Sequence, residues 1–460
     1  MLALLLSLPF ATAVQDGGER ADELLAKAEF ALEKERYQDA VRLYQLIARK
    51  FPETEAGKLA ARRTQPSCFL SSVPLVDHGP SENRVDVALM GDGYTLAHQD
   101  MFDDLADDVP PLFEKQRTFR EYYSYFNFRR FNLVSKDDNV DGYGREEDTA
   151  LGGRVLGTIQ GHVGIDPTLV RKMLDEVQPH DGLAIVFVRA GILGTAGAGI
   201  ATIGGRSAAT TIHEFGHSFG RLGDEYATQT HERGTVGRAP NVSDTDVPAD
   251  VPWAHWIEAK AKGVGIYEGA AGQVRDAWKP TASGCVMENG EFFCPPCREA
   301  LVLRIYSFVD PIEWTNQPHY PREHPASLTI DQAFTFEVHV MKPESHALEV
   351  RWWIFPEENA PRESNGTDPR YATGPLRRGR ETRGALWPIE EKPIVYTHVN
   401  RTGIHELTVK AADLAPGRYR VICRARDTTH LRGEKLPWVL RDEYDLLQSE
   451  RAWWIEIPAR

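Results

Sequence analysis

The spacing of hydrophobic residues divides this chain of 460 residues into three regions. Beyond a proline-rich linker at residues 316–326, hydrophobic and polar positions alternate in four segments: Phe334–Val340, Leu348–Ile354, Ile404–Val409 and Trp453–Ile457. Alternation places every second side chain on one face of a strand. Several such strands with turn residues between them predict an antiparallel β-sandwich at residues 327–460, with the immunoglobulin fold as one candidate.

The N-terminal region has helical spacing. Within residues 20–65, Ala28 and Ala40 lie twelve positions apart, Tyr44 follows one turn later, and Pro52 closes the second helix. This spacing is typical of one tetratricopeptide (TPR) unit. Because a single unit cannot bury its own hydrophobic faces, we expect this α-helical hairpin to dock on its neighbour or to form a loose appendage.

The first residues are typical of a secretory signal. An apolar run, Leu2–Phe10, precedes the small residues Ala11-Thr12-Ala13, although no Lys or Arg comes before the run. We therefore predict a signal peptide at residues 1–14 and a secreted, periplasmic or extracellular protein. The run is shorter than the roughly 20 apolar residues that cross a bilayer, and no other stretch of the sequence reaches that length, so we expect no transmembrane segment.

Metal-binding residue types are concentrated in the middle region, at His213-Glu214-Phe215-Gly216-His217. Residues four apart project from the same face of a helix, so the imidazoles of His213 and His217 can reach one ion at about 2.0–2.1 Å. Glu214 projects about 100° away, where its carboxylate can face water at the metal without being a ligand. This H-E-x-x-H pattern predicts a zinc metallopeptidase with Glu214 as general base.

A catalytic zinc site needs a third protein ligand and a water molecule, whose pKa falls to roughly 7. Gly220 can adopt the left-handed conformation that ends a helix and returns the chain toward the metal. Asp224 is the first side chain after this turn that can bind, and we predict that it is the third ligand. Glu225 is the alternative, and the more distant His231 and His255 stay open.

The residues before the motif predict its surroundings. A glycine-rich run at residues 191–199 leads to a short apolar strand candidate, Ile200–Ile203, and small and apolar residues at 207–212 lead into the motif. Strand, turn and metal-binding helix is the order that a zinc peptidase requires. We expect a substrate strand to pair with an edge strand near Ile200–Ile203.

Three cysteines follow about seventy residues later: Cys285 and the C-x-x-C pair Cys294 and Cys297. C-x-x-C can form a redox pair or half of a zinc ribbon, but the sequence has no second C-x-x-C, which excludes the ribbon. We predict a structural disulfide that joins Cys285 to Cys294 or Cys297, in agreement with export. Cys423 lies in an alternating segment, where we expect a buried free thiol.

A second metal site is a weaker candidate. Asp137, Asn139, Asp141 and Gly142 match the start of a calcium loop, and Asp148 occupies the twelfth position. The preceding segment has strand character rather than helix character. The loop is either a structural Ca²⁺ site or a plain acidic turn.

Several of these blocks resemble the IgA peptidase family of metallopeptidases (M64). The resemblance includes the D-G-Y signature within residues 84–94, the aromatic segment Tyr122–Asn132, and three blocks between residues 267 and 297, and it covers roughly residues 75–315. It implies a zinc-dependent endopeptidase domain of metzincin-like α/β (α+β) fold.

The same resemblance implies roles for individual residues. Glu214 would be the base, and His213, His217 and the Asp224 region would be the ligands. Met287 resembles the methionine of the metzincin Met-turn, a soft apolar floor beneath the metal. Where metzincins have a third histidine, this chain has Gly223.

The net charge of the chain excludes some classes of binding partner. The net charge is −14, with 53 basic and 67 acidic residues, which argues against nucleic acid and against anionic membranes. The predicted partner is a protein or peptide substrate. Two alternatives stay open: a zinc exopeptidase, or a catalytically degenerate extracellular binding protein, against which the intact His213, Glu214, His217 and Asp224 count.

Overall fold

The computed structural model describes residues 8–142, 144–156, 161–177, 179–190, 193–205, 208–228, 236–317, 327–360, 389–397 and 403–459. The chain is a mixed α/β protein with two compact units. Unit 1 comprises Met1–Asp77, Asp86–Leu112 and Phe128–Ser218, and unit 2 comprises His78–Val85, Phe113–Asn127 and Phe219–Arg460. The predicted division into signal, helical, peptidase and sandwich segments stays a prediction.

Unit 1 contains a six-stranded sheet in the order β1-β3-β2-β6-β8-β7. Its strands, with the short pair β4 and β5, are β1 Cys68–Val76, β2 Val85–Asp92, β3 Phe126–Val134, β4 Arg154–Val155, β5 Val163–Gly164, β6 Leu183–Val188, β7 Thr195–Gly197 and β8 Ile200–Gly204. The β2–β6 and β6–β8 pairs are parallel, and the β1–β3 and β7–β8 pairs are antiparallel. The central strand β6 is buried along its whole length, as is typical of parallel strands.

The edge of this sheet lies beside the segment Ile200–Ile203. Residues Ile200–Ile203 lie in β8, an internal strand with β6 on one side and β7 on the other. The glycine-rich segment before β8 folds back on it as β7, with Gly197 opposite Ile200. The edge strand near Ile200–Ile203 is therefore β7, which pairs with this segment, and the segment itself is not at the edge.

Three helices cover the region that was predicted to be helical: α1 Leu8–Glu33, α2 Tyr37–Lys50 and α3 Glu55–Arg63. Their buried residues include Ala28, Ala40 and Tyr44, and they form one hydrophobic core with Leu70 of β1 and Val134 of β3. The helices therefore pack on the sheet of unit 1, as docking requires. Residues 1–7 of the predicted signal lie outside the described residues, and the TPR assignment stays a prediction.

The other helices of the chain are α4 Gln99–Asp107, α5 Val109–Lys115, α6 Arg117–Glu121, α7 Pro167–Glu176, α8 Ala208–Ser218, α9 Ala254–Glu258 and α10 Pro295–Phe308. In unit 1, α7 begins after Asp166, whose side chain accepts a hydrogen bond from the N–H of Thr168. Its buried Leu174 packs in one core with Met90 of β2 and Val186 of β6. Within the described part of the chain, no helix has both the length and the hydrophobicity of a membrane span.

Unit 2 contains the remaining strands: β9 Tyr267–Ala270, β10 Gln273–Lys279, β11 Ile312–Thr315, β12 Leu328–Thr329, β13 Ala333–Val340, β14 Glu349–Pro356, β15 Val395–Thr397, β16 Ile404–Lys410, β17 Gly417–Arg426 and β18 Gln448–Ile457. Two of its sheets have the orders β11-β13-β16 and β12-β18-β17-β14-β15. Phe336 of the first sheet shares a hydrophobic core with Trp352, Val421 and Trp453 of the second.

The four alternating segments are strands, but two details differ from the antiparallel β-sandwich that the sequence predicted. Strand β12 is parallel to β18, so the larger sheet is mixed rather than antiparallel. Strand β11 joins the smaller sheet although it precedes the predicted linker. Period-two spacing predicts a strand and its buried face, but it carries no information about the partner strand or its direction.

Candidate metal centre

The histidine pair lies on α8, which contacts β6, β7 and β8. Ile212 and Phe215 are buried, and His213 and Glu214 are only 7% and 8% exposed. The helix therefore carries polar side chains, including an imidazole and a carboxyl group, in a buried position. The packing of α8 on the sheet fixes the direction of both histidines.

The two imidazoles lie side by side. The Nε2 atoms of His213 and His217 are 3.0 Å apart, and the rings meet edge to face at 81°. Two nitrogens that each lie about 2.0–2.1 Å from one ion are separated by roughly 3.0–3.4 Å. This donor pair therefore fits a single zinc ion.

The segment after α8 reverses direction at a residue that the sequence did not indicate. Gly220 was expected to supply the left-handed conformation, whereas Arg221 has it, with φ 55°. Within the continuous segment from His213 to Asp224, one ligand atom from each of His213, His217 and Asp224 lies within 4.8 Å of the others. The side chains therefore converge as two nitrogens and one carboxylate oxygen, a donor set typical of a catalytic zinc site.

Glu225, the alternative third ligand, is engaged elsewhere. It is fully buried, and its Oε1 accepts hydrogen bonds from Asn241 Nδ2 at 2.9 Å and from the thiols of Cys294 at 3.3 Å and Cys297 at 3.0 Å. Burial raises the pKa of Glu225 to about 8. The carboxylate thus belongs to a cysteine cluster, which the sequence analysis did not connect with it.

Glu214 approaches the backbone at Gly194, directly before β7. A Cβ atom on Gly194 would lie 2.4 Å from Cγ of Glu214 and 2.8 Å from its Oε1, far inside van der Waals contact. Only glycine leaves room for the Glu214 carboxylate at this point. The glycine-rich character of the segment before β7 therefore has a steric reason at this position.

The predicted disulfide is absent. Cys285, Cys294 and Cys297 are free thiols, and the Sγ atoms of Cys285 and Cys297 are 3.8 Å apart, whereas a disulfide requires about 2.05 Å. The thiols of Cys294 and Cys297 are directed at Glu225 rather than at a sulfur partner. The expectation for Cys423, a buried free thiol, is confirmed.

Met287 lies in a short 3₁₀ turn, Val286–Glu288, and its side chain is fully buried. Its backbone oxygen accepts a hydrogen bond of 2.8 Å from the N–H of Glu225. The turn and the segment that follows Asp224 are therefore joined through their backbones. The Met-turn role of Met287 stays a prediction.

The remaining metal candidates have local partners. His255 lies 2.7 Å from Oε1 of Glu299, and His231 lies outside the described residues. In the predicted calcium loop, Asp137 accepts a hydrogen bond from the N–H of Asp148, at 2.9 Å. Asp141 likewise accepts one from a backbone N–H in the loop, as an acidic turn would. Calcium binding stays a prediction.

One protein family is similar to part of this chain. Residues 73–262 match the family model described as IgA Peptidase M64, and the matched segment contains α8 and the turn that follows it. No curated protein matches the chain.

Proposed function

Over residues 73–262 this chain belongs to the IgA peptidase M64 family, a family of metallopeptidases, and we propose that it is a zinc-dependent endopeptidase that cleaves proteins or peptides. The observation that carries the proposal is the convergence of His213, His217 and Asp224 on one point, with Glu214 beside them on α8. A peptidase of this class needs two histidines, an acidic or imidazole ligand and a carboxylate base.

In the proposed site, His213, His217 and Asp224 would hold the ion. A zinc ion there would polarise the carbonyl of the scissile peptide and lower the pKa of water to roughly 7. The buried position of His213 supports this role, because a desolvated ligand keeps a fixed direction. The engagement of Glu225 with the cysteines favours Asp224 as the third ligand.

Glu214 is the proposed general base. One oxygen of its carboxylate removes a proton from the attacking water as the new carbon–oxygen bond forms. The same carboxyl group then donates that proton to the leaving nitrogen as the carbon–nitrogen bond breaks. The close approach of Gly194 supports this role, because it restricts where the carboxylate can lie.

Replacement of Gly194 by alanine should therefore displace the Glu214 carboxylate. We expect kcat to fall by about 10²-fold while zinc content is unchanged, because an error of about 1 Å in the position of a catalytic group has an effect of that size. Gly237→Ala is the control, since a Cβ there also meets nothing within 4 Å and the residue lies outside the proposed site. Equal activities of the two variants would contradict the role assigned to Gly194.

We place the substrate beside β7, the strand that ends the sheet order. An extended peptide can add to such a strand through backbone hydrogen bonds, which suits an enzyme that cleaves within a chain. Gly197 at the end of this strand is exposed, and Gly194 directly before the strand lies against Glu214. This placement favours endopeptidase activity over exopeptidase activity.

Zinc analysis combined with a cleavage assay tests the proposal. The purified protein should cleave casein and internally quenched peptides, lose this activity on treatment with a metal chelator, and recover it when zinc is returned. Activity that persists after the metal has been removed would rule out the proposal.

Asp224→Ala provides the matched variant for this test. As purified, this variant should lack both the activity and the zinc that a chelator removes from the wild type. Asp244 is an exposed acidic residue of the same unit, and Asp244→Ala should behave as the wild type. If Asp224→Ala keeps both zinc and activity, the third ligand is another residue.

Two other functions give different results in the same assays. A zinc exopeptidase would release terminal residues from peptides with free ends and leave internally quenched peptides intact. A degenerate binding protein would hold zinc or a partner but cleave nothing. The complete set of Glu214, His213, His217 and Asp224 favours catalysis over binding alone.

We also propose that the protein is exported. The support is the apolar run Leu2–Phe10 and the small residues that follow it. N-terminal sequencing of the mature chain should find a start near residue 14. A mature protein that retains Met1 and stays inside the cell would contradict export.

A further inference from the structure

We propose that Cys285, Cys294, Cys297 and Glu225 form a second zinc site, structural rather than catalytic. All four residues belong to unit 2, all are buried, and one ligand atom from each lies within 4.8 Å of the others. The site is separate from the centre on α8, and its existence does not depend on the proposed peptidase function.

The distances fit a tetrahedral ion. Thiolates that each lie about 2.3 Å from a tetrahedral zinc are roughly 3.8 Å from one another. Sγ of Cys285 is 3.8 Å from Sγ of Cys297, and Oε1 of Glu225 is 3.3 Å from Sγ of Cys294 and 3.0 Å from Sγ of Cys297. Four donors at these separations enclose one ion and leave no position for water, as structural sites do.

The backbone around the cysteines supports the same interpretation. Cys294 caps α10, and Cys297 lies in its first turn, so the C-x-x-C pair presents both sulfurs from one helix end. The N–H of Cys294 is 3.4 Å from Sγ of Cys285, a contact that stabilises a thiolate. The C-x-x-C pair, the nearby Cys285 and the distant Glu225 thus supply the four ligands.

The groups behind the ligands are those that a metal site requires. Asn241 Nδ2 donates to Oε1 of Glu225 and also to the carbonyl of Gly223, which fixes the carboxylate. Three thiolates and a carboxylate around Zn²⁺ carry a formal excess of about two negative charges. Lys279, buried at 5% exposure, donates to the carbonyl of Glu225 at 2.7 Å and forms an ion pair with Glu288. Because Glu288 pairs with this ammonium, Lys279 holds the backbone of Glu225 in place rather than neutralising the ligands.

The ion would join three separate parts of unit 2. Glu225 follows the turn after α8, Cys285 begins the turn that contains Met287, and Cys294 and Cys297 open α10. Glu225 is 60 residues before Cys285, whereas Cys285 is only nine residues before Cys294, so one ion closes one long loop and one short loop, which favours the folded state. Because Glu225 directly follows Asp224, the site would also fix the backbone of the proposed third ligand, a consequence that rests on the proposed function.

Zinc stoichiometry in the full chain tests the site. The wild type should contain two zinc ions per chain, and the double variant His213→Ala/His217→Ala should keep one. An organomercurial reagent should release that remaining zinc from the double variant, because it reacts with thiolates. Cobalt substituted into the double variant should give the near-ultraviolet charge-transfer band of thiolate-bound cobalt.

Cysteine variants identify the ligands. Cys294→Ser in the double variant should lose the remaining zinc and the cobalt band, whereas Cys68→Ser, a free thiol outside the cluster, should keep both. If Cys294→Ser does not fold, the release and cobalt experiments on the double variant still decide the question. A double variant without zinc, or a disulfide among the three cysteines in non-reducing mass spectrometry, would overturn the proposal. Either result would leave the site on α8 untouched.

Discussion

Glu214→Gln is expected to lower kcat by about 10²- to 10⁴-fold, the range of a general acid–base group. Glutamine has nearly the same shape as glutamate, so the packing against Gly194 should persist. Its amide cannot accept the proton of the attacking water, and no carboxyl group then exists to protonate the leaving nitrogen. Zinc content and KM should change little, because Glu214 is not a proposed ligand.

The measurement is steady-state cleavage of an internally quenched peptide, with zinc content determined on the same samples. Glu176→Gln, an exposed carboxylate at the end of α7, is the matched control and should keep wild-type kcat. If Glu214→Gln retains full turnover, another group removes the proton, and the assignment of the base fails. Loss of zinc in this variant would instead make Glu214 a ligand.

His346→Gln is expected to lower the free energy of unfolding by about 3–5 kcal/mol, the usual cost of removing one partner from a buried ion pair. His346 lies between two carboxylates of unit 2. Its Nε2 is 2.6 Å from Oδ1 of Asp427, and its Nδ1 is 2.8 Å from Oε1 of Glu121. Glutamine would leave both carboxylates without their positive partner.

The surroundings of Asp427 explain why the loss is large. Asp427 is fully buried, and its Oδ2 accepts hydrogen bonds from the hydroxyls of Tyr122 at 2.9 Å and Tyr306 at 2.7 Å. Its Oδ1 also accepts the N–H of Thr429 at 2.6 Å. These neutral donors stabilise the carboxylate but do not cancel its charge, so His346 is the group that balances it.

The ion pair of His346 and Asp427 makes the stability of the protein depend on pH. Burial alone would lower the pKa of His346, but the hydrogen bond and charge of Asp427, with those of Glu121, raise it from 6.5 to about 9. Because its pKa is higher in the folded state, protonated His346 makes its full contribution to the free energy of unfolding below about pH 6.5. That contribution is lost as the pH rises through about 9. Burial would raise the pKa of Asp427, but His346 lowers it, so its contribution is lost on acidification.

Denaturant unfolding at pH 7 and pH 10 measures both effects. The wild type should be less stable at pH 10 than at pH 7. His346→Gln should be less stable than the wild type at pH 7, and it should lose less stability than the wild type between pH 7 and pH 10. His430→Gln, an exposed histidine, is the matched control and should follow the wild type. Parallel curves for wild type and His346→Gln would show that His346 does not carry the charge.

Local spacing predicted the features of this protein that a single helix or strand contains. His213 and His217 are four residues apart, and a helix alone brings their rings together. The alternation in residues such as Phe336 and Trp352 marks the buried face of a strand because side chains point to opposite faces in turn. The interval between Ala28 and Ala40 likewise indicated paired helices.

Features that join distant parts of the chain depended on tertiary structure. The sequence contained Glu225 and the three cysteines, but no pattern showed that a residue 60 positions away completes their cluster, and the closeness of the cysteines suggested a disulfide instead. In the same way, β7 rather than β8 became the edge strand because pairing is chosen by the whole sheet. The sequence by itself therefore determined the chemistry of α8, since periodicity records which side of an element is buried. Only the folded chain decided which elements meet, because contacts between distant segments depend on the packing of all of them together.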